Sequence, residues 1–102
     1  MTIGRHYLLI CHDPVPEPDF NKWAISLGNT DRRVKLTVQG DVKVSTVFLG
    51  VDHSVGGGPP VLFETMVFRA GDSVDCQRYS TWDEAEIGHD EIVRSIFTAA
   101  PT

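Results

Sequence analysis

Four side chains that can exchange protons stand in or beside apolar segments of the chain. Glu64 lies inside the apolar run 62–66, Asp52 and His53 directly follow another such run, and His89 stands on the apolar side of a predicted helix. A carboxylate among apolar neighbours must find hydrogen-bond donors or have its pKa raised, and a carboxylate beside an imidazole can act as a general acid–base couple. An enzyme built on this sequence would therefore use Glu64, His53, Asp52 and His89.

Each of these residues also has a structural interpretation. Glu64 can be an ion-paired residue on a sheet face, and His89 can be a hydrogen-bonded histidine of the core. If the segments on either side of the loop 52–60 form a simple hairpin, the residue numbers of each cross-strand pair sum to about 113. This register places Leu49 opposite Glu64. His89 meets Glu64 only if its helix crosses the face that carries Glu64.

The loop that follows Asp52 and His53 contains three consecutive glycines and two prolines, in the order Asp-His-Ser-Val-Gly-Gly-Gly-Pro-Pro. Glycines such as Gly57 and Gly58 let backbone amides approach a ligand closely. No helix follows, and neither dinucleotide-binding nor Walker spacing is present. The loop is thus a plain connection, or a lid or partner-contacting tip that presents Val55.

Metal-binding and nucleophile patterns are missing from the sequence. The four histidines, at positions 6, 12, 53 and 89, lack the spacing of a zinc site, and no Gly-x-Ser-x-Gly motif occurs. The two cysteines, Cys11 and Cys76, are far apart and form no disulfide framework. We expect no metal and no cofactor.

The spacing of apolar residues predicts an α+β domain. Predicted strands are 7–11, 33–39, 42–51, 61–68 and 74–79, and predicted helices are 20–27 and a long one from Trp82 onward. Asp19 caps the short helix, Thr81 and Glu84 form a capping box for the long one, and the proline-rich segment 14–18 is an extended loop. We expect a two-layer fold in which both helices cover one face of a mainly antiparallel sheet of about five strands.

Composition limits the classes of function. The chain has 102 residues and a mass of 11.3 kDa, which suits a single domain over residues 1–102. Its net charge of −5 disfavours direct nucleic-acid binding, and no segment is apolar and long enough to cross a membrane, so we expect a cytosolic protein. Asp83, Glu86 and Asp90 form an acidic stripe that is either a solvated face or a docking site for a basic partner.

Three blocks in order resemble one protein family. They are VSTVFLGVDH at 44–53, GPPVLFETMVF at 58–68 and RYSTWDEAEIGH at 78–89. Together they are similar to short, largely uncharacterised proteins encoded by tailed bacteriophages and prophages. The chain departs from the family pattern at Val51, where leucine is usual, and at Arg69-Ala70, where a glycine pair is usual.

The resemblance implies a viral or prophage accessory protein in the host bacterial cytoplasm, and it brings no established reaction. We expect a non-enzymatic binding module, by analogy with small phage proteins that inhibit host defence: an anti-CRISPR-like inhibitor of an immune protein complex, or a protein that sequesters a nucleotide signal. For sequestration, the expected pocket lies within one chain or is shared between protomers, and its residues are Phe48, Phe63, Trp82 and the glycine-rich loop, with Arg69 or Arg78 on a phosphate. The alternatives are a small acid–base hydrolase or lyase and a virion structural component. Because two helices cover only one sheet face, we also expect a homo-oligomer.

Overall fold

Two antiparallel sheets and two helices make up the fold. The computed structural model describes residues 5–97 of the chain. In chain order the elements are β1 (Tyr7–Ile10), β2 (Asp13–Pro16), α1 (Phe20–Gly28), β3 (Arg33–Gln39), β4 (Val42–Phe48), β5 (Phe63–Arg69), β6 (Asp72–Tyr79) and α2 (Trp82–Phe97). Strands β1 and β2 form one sheet, and β3-β4-β5-β6 form the other in that order. The α+β class and both helices are confirmed, whereas the single five-stranded sheet is wrong.

Contrary to the prediction, strand β1 does not belong to the larger sheet but pairs with β2 in a separate sheet. Strand β2 lies in the proline-rich segment that was expected to be a loop. Tyr7 lies opposite Pro16 and Leu9 opposite Pro14. In a two-stranded ribbon each strand is an edge, so a proline can occupy positions whose missing N–H would face outward. The hairpin joins the end of the larger sheet through Tyr7, whose N–H donates to the Gly50 carbonyl over 2.8 Å.

Helix α1 begins as predicted, with an Asp19 side-chain oxygen accepting a hydrogen bond from the Lys22 amide at 3.1 Å. The helix packs against β1 and lies near the hairpin attachment. Its Trp23 indole N–H lies 3.1 Å from the carbonyl oxygens of both Tyr7 and Gly50. Trp23 therefore joins helix, hairpin and sheet at one point, instead of helping to cover a face of the larger sheet.

The four-stranded sheet has one face packed against α2, here named the covered face. Alternation along β4 and β5 buries every second residue on this side. Its central cross-strand pairs are Val44 with Val67, Thr46 with Thr65 and Phe48 with Phe63. Helix α2 contacts all four strands. The other side of the sheet, here named the open face, has no helix packed across it within residues 5–97.

The start and middle of α2 fix its position on the sheet. The capping box is confirmed, because the Thr81 hydroxyl accepts from the Glu84 amide at 3.0 Å and the Glu84 carboxylate accepts from the Thr81 amide at 3.2 Å. Farther along, a Cβ atom on Gly88 would lie 2.3 Å from the Tyr79 ring, so only glycine allows this close approach of α2 to β6. Within residues 5–97, neither helix has the length and apolarity needed to span a bilayer.

Candidate functional site

The loop between β4 and β5 is closed at its base by one carboxylate; we name residues 52–61 the clamped loop. One Asp52 side-chain oxygen accepts hydrogen bonds from the amides of Ser54 at 2.7 Å and Val61 at 2.8 Å, and the other accepts from the Ser54 hydroxyl at 3.0 Å. Burial alone would raise the pKa of Asp52, but these donors, with Arg5, hold it below its usual value. Asp52 is therefore a charged anchor of the loop.

Two further sets of contacts stiffen the base of the clamped loop. The Arg5 guanidinium donates to the carbonyl oxygens of Asp52 at 2.6 Å and Ser54 at 3.1 Å. The His53 amide donates to the Val61 carbonyl at 2.9 Å. The backbone of His53 thus belongs to the closure, while its side chain is exposed.

The tip of the clamped loop projects an apolar side chain into solvent. Val55 is 93% exposed. The three glycines that follow have φ values of 78°, 93° and 88°, a region that side chains rarely adopt. No atom lies within 4 Å of a Cβ placed on Gly57 or Gly58, so these glycines serve the turn and do not fit closely against other parts of the protein.

His89 lies in a buried polar network beneath α2. Its side chain is only 1% exposed, with Nδ1 2.7 Å from the Thr46 hydroxyl and Nε2 2.9 Å from the Thr37 hydroxyl. Thr46 is also hydrogen-bonded to Thr65 on the next strand. A neutral imidazole donates from one nitrogen and accepts at the other, so two hydroxyl partners satisfy it fully.

Charge is unfavourable at the His89 ring. Burial, reinforced by the nearby Lys35 ammonium, lowers the pKa of His89 below its ordinary value of 6.5. Asp90 acts in the opposite direction more weakly, and it is itself engaged by Lys35 at 2.7 Å. His89 is thus a neutral histidine that organises the core.

Glu64 lies on the open face in an ion pair. Its carboxylate accepts from the Arg78 guanidinium at 3.0 Å and from the Cys76 thiol at 3.2 Å. Its side chain is 16% exposed, and Val47 lies directly opposite on β4. The predicted pairing of Glu64 with Leu49 is wrong by two positions, because the residue numbers of each pair in this hairpin sum to 111.

The sheet separates Glu64 from His89. Glu64 shares its face with Val47 and Arg78, whereas His89 reaches the hydroxyls of Thr37 and Thr46 on the covered face. Neighbouring residues of a strand point to opposite faces, so the Phe63 and Thr65 side chains point to the other side. Helix α2 therefore does not cross the face that carries Glu64, so the condition for an acid–base pair of Glu64 with His89 is not met.

The aromatic residues expected to line a nucleotide pocket are mostly enclosed. Phe48 and Phe63 are 0% exposed and pack with ring centroids 5.4 Å apart. Trp82 meets the edge of Phe63 on one side and stacks on His12 on the other, with 3.7 Å between centroids. Trp82 lines a shallow cleft of about 280 Å³, together with His12, Asp13, Pro14, Thr81 and Asp83. The predicted common pocket with the clamped loop is thus not formed.

The two arginines assigned to a phosphate lie apart. Arg78 is opposite Glu64, near the end of the sheet that carries the clamped loop. Arg69 ends β5 and pairs in register with Val42 and Asp72. Arg69 is six residue steps from Phe63 along β5, a distance of roughly 20 Å. Arg69 therefore cannot share a phosphate with Gly57 and Gly58.

The acidic side chains predicted to bind a partner differ in their surroundings. Asp83 is exposed and Glu86 is partly buried. Asp90 forms the ion pair with Lys35, which holds the pKa of Asp90 below its usual value. The acidic stripe is thus partly neutralised by Lys35 on the edge strand β3.

A groove between α2 and β6 was missed by the sequence analysis. Tyr79 lines both of its two parts, and burial raises the pKa of the Tyr79 hydroxyl. The larger part has a volume of about 400 Å³ and is lined by Val61, Arg78, Tyr79, Ser80, Glu84, Ile87, Gly88 and Glu91. The sequence signal was Gly88, because a glycine inside a helix is unfavourable unless something must approach closely.

Comparison of the chain with protein-family models, curated proteins and solved structures found no match. Within residues 5–97, no group of three or more His, Cys, Asp or Glu side chains could hold a metal ion.

Proposed function

We propose that this chain is a non-enzymatic binding module, a phage or prophage accessory protein that inhibits a host defence protein by docking the clamped loop against it. The observation that carries the proposal is Val55, 93% exposed at the tip of a loop whose base is fixed by Asp52. An exposed aliphatic residue on a braced loop is suited to fill an apolar pocket of a protein.

Bracing matters for affinity because a loop that is ordered before binding loses less conformational entropy on binding. The carboxylate of Asp52 holds both ends of the clamped loop, through Ser54 and Val61, and Arg5 binds two carbonyl oxygens on the same side. The entropy of closing the loop is thus largely lost during folding. The energy gained from burying Val55 is then available for the complex.

The chemistry of the loop defines the partner surface. Between Asp52 and Val61 the sequence carries no lysine, arginine or glutamate, and Asp52 is occupied by its own hydrogen bonds. The complementary surface is an apolar pocket with a polar rim that accepts a glycine-rich backbone. A host defence complex in the bacterial cytoplasm, as the family resemblance implies, is the proposed owner of this pocket.

A counter-defence assay tests the proposal. A phage targeted by a bacterial CRISPR–Cas nuclease is plated on cells that produce the wild-type chain, Val55→Asp or Ile25→Asp. Ile25 is a matched control, because it is 67% exposed on α1 and receives the same charge. We expect wild type and Ile25→Asp to restore plaques, and Val55→Asp to lower plaque number at least about tenfold, as removal of a central apolar anchor does.

A second variant tests the bracing. Asp52→Ala removes three hydrogen bonds at the loop base, and we expect weaker inhibition with Val55 unchanged. Circular dichroism and thermal unfolding report whether each variant folds. The proposal is wrong if the wild-type chain gives no protection, or if folded Val55→Asp protects as well as wild type.

A further inference from the structure

The open face of the sheet carries several apolar side chains, with Lys43 and Ser45 of the central strand β4 between them. Its apolar side chains are Leu36, Val38, Val47, Met66 and Phe68. Leu36 is 41% exposed and Val38 is 55% exposed, and both lie on the edge strand β3. We propose that this face is the interface of a two-fold symmetric dimer, in which the occupant is a second copy of the chain. This face is a different surface from the clamped loop.

The strand register arranges the open face in three rows. The first row runs through Val38, Lys43 and Phe68, the second through Leu36, Ser45, Met66 and Cys76, and the third through Arg33, Val47, Glu64 and Arg78. Of the charged residues, Lys43 and Glu64 occupy the central strands, at opposite ends of the face. Arg33 and Arg78 lie on the edge strands, where they remain hydrated at a rim.

This arrangement of charge is complementary to itself. A two-fold axis that runs along the second row, parallel to the sheet, superposes the first row of one copy on the third row of the other. Lys43, which lies 4.8 Å over the Phe68 ring in its own chain, then comes within reach of Glu64 of the second copy. The same contact is repeated by symmetry, as an isologous interface requires. Leu36 and Met66 lie on the axis and meet their own symmetry mates.

The size of the face is sufficient for a weak dimer. Four strands about 4.8 Å apart and seven residues long at about 3.4 Å each give roughly 450 Å² per copy in projection. Two such faces bury roughly 900 Å² in total, which falls in the range of weak, transient interfaces. We therefore expect a dimer that dissociates on dilution through the micromolar range.

Sedimentation velocity of the purified full chain, over a series of concentrations, tests the inference. We expect wild type to change from monomer to dimer as concentration rises. Leu36→Glu places two carboxylates face to face on the axis and should raise the dissociation constant at least about tenfold. Ile87→Glu is the matched control, because Ile87 is 59% exposed on α2, on the other side of the sheet, and this variant should dimerise as wild type does.

Charge exchange tests the register. Lys43→Glu and Glu64→Lys each bring like charges together and should weaken the dimer, whereas the double variant should restore it. A wild-type chain that stays monomeric at all concentrations overturns the inference and leaves the face to another partner; a double variant no tighter than the singles overturns the proposed axis. Val55→Asp should still dimerise, so failure of the dimer and failure of the clamped loop are separate results.

Discussion

The two faces of the four-stranded sheet differ in the burial and charge of their polar side chains. On the covered face, His89 is enclosed by hydroxyl groups of Thr37 and Thr46, and its pKa is lowered. On the open face, Glu64 keeps its charge partner Arg78 beside it and remains partly exposed. His89 is therefore neutral and buried, whereas Glu64 is ion-paired and accessible from solvent.

This difference separates structural from functional roles. A buried polar group that is completely satisfied stabilises one packing arrangement, because any displacement leaves a donor or acceptor without a partner. A surface ion pair contributes little to stability but can exchange partners during association. Residues of the covered face should therefore control folding, while residues of the open face and the clamped loop should control binding.

The largest expected effect compares two phenylalanines on opposite faces. Phe48→Ala should lower the free energy of unfolding by about 3–5 kcal/mol, since Phe48 is completely buried. Phe68→Ala, on the open face, should lower it by only about 1–2 kcal/mol. Urea unfolding, with both changes in the monomeric Leu36→Glu background, gives the two values. Equal losses would show that the two faces do not differ in this way.

A smaller effect concerns pH. Because the pKa of His89 is lower in the folded chain than its ordinary 6.5, the unfolded chain binds more protons below that pH. The contribution of neutral His89 to the free energy of unfolding is fully present above pH 6.5. It should decline as the pH falls below 6.5, by up to about 1.4 kcal/mol per pH unit. His89→Gln should remove this slope, measured by urea unfolding between pH 5 and about pH 7.5. His53→Gln, at an exposed site, is the control that retains it.

The smallest expected effect is a change in the reactivity of Cys76, which lies on the open face. Burial, together with the hydrogen bond to Glu64 and its charge, raises the pKa of the Cys76 thiol. Glu64→Gln removes the charge, so Cys76 should be alkylated a few-fold faster by iodoacetamide at mildly alkaline pH. Mass spectrometry follows both thiols, and Cys11, which is exposed in the hairpin turn, is the internal reference. An unchanged Cys76 rate would contradict the role assigned to Glu64.

The elements with strong local signals were predictable from sequence. Asp19 and the pair Thr81–Glu84 marked both helix starts correctly, and alternation identified β3, β4 and β5. These signals depend on neighbours within a few residues. The β1–β2 hairpin was missed because its prolines were interpreted as excluding a strand, although an edge strand tolerates them.

The contact between Glu64 and His89 could not be decided from sequence. Both residues lie in apolar patterns, but the meeting required knowledge of which sheet face α2 covers. That choice depends on the whole set of side chains along β4 and β5, where the larger apolar residues Phe48 and Phe63 fall on the covered side. The role of Asp52 as an anchor was likewise hidden, since its partners Ser54 and Val61 are joined only when the loop closes.

The strand order has a consequence for how fast the molecule can form. Each strand of the larger sheet pairs with the one directly before it in the chain, and α2 follows without a long crossover. Chains whose contacts join nearby positions generally fold quickly, because little loop entropy is lost before the contacts form. The stretch from β3 to α2 can thus assemble first, and the amino-terminal hairpin and α1 can attach afterwards at Gly50. Rapid assembly of this kind would suit a protein that has to act soon after its synthesis.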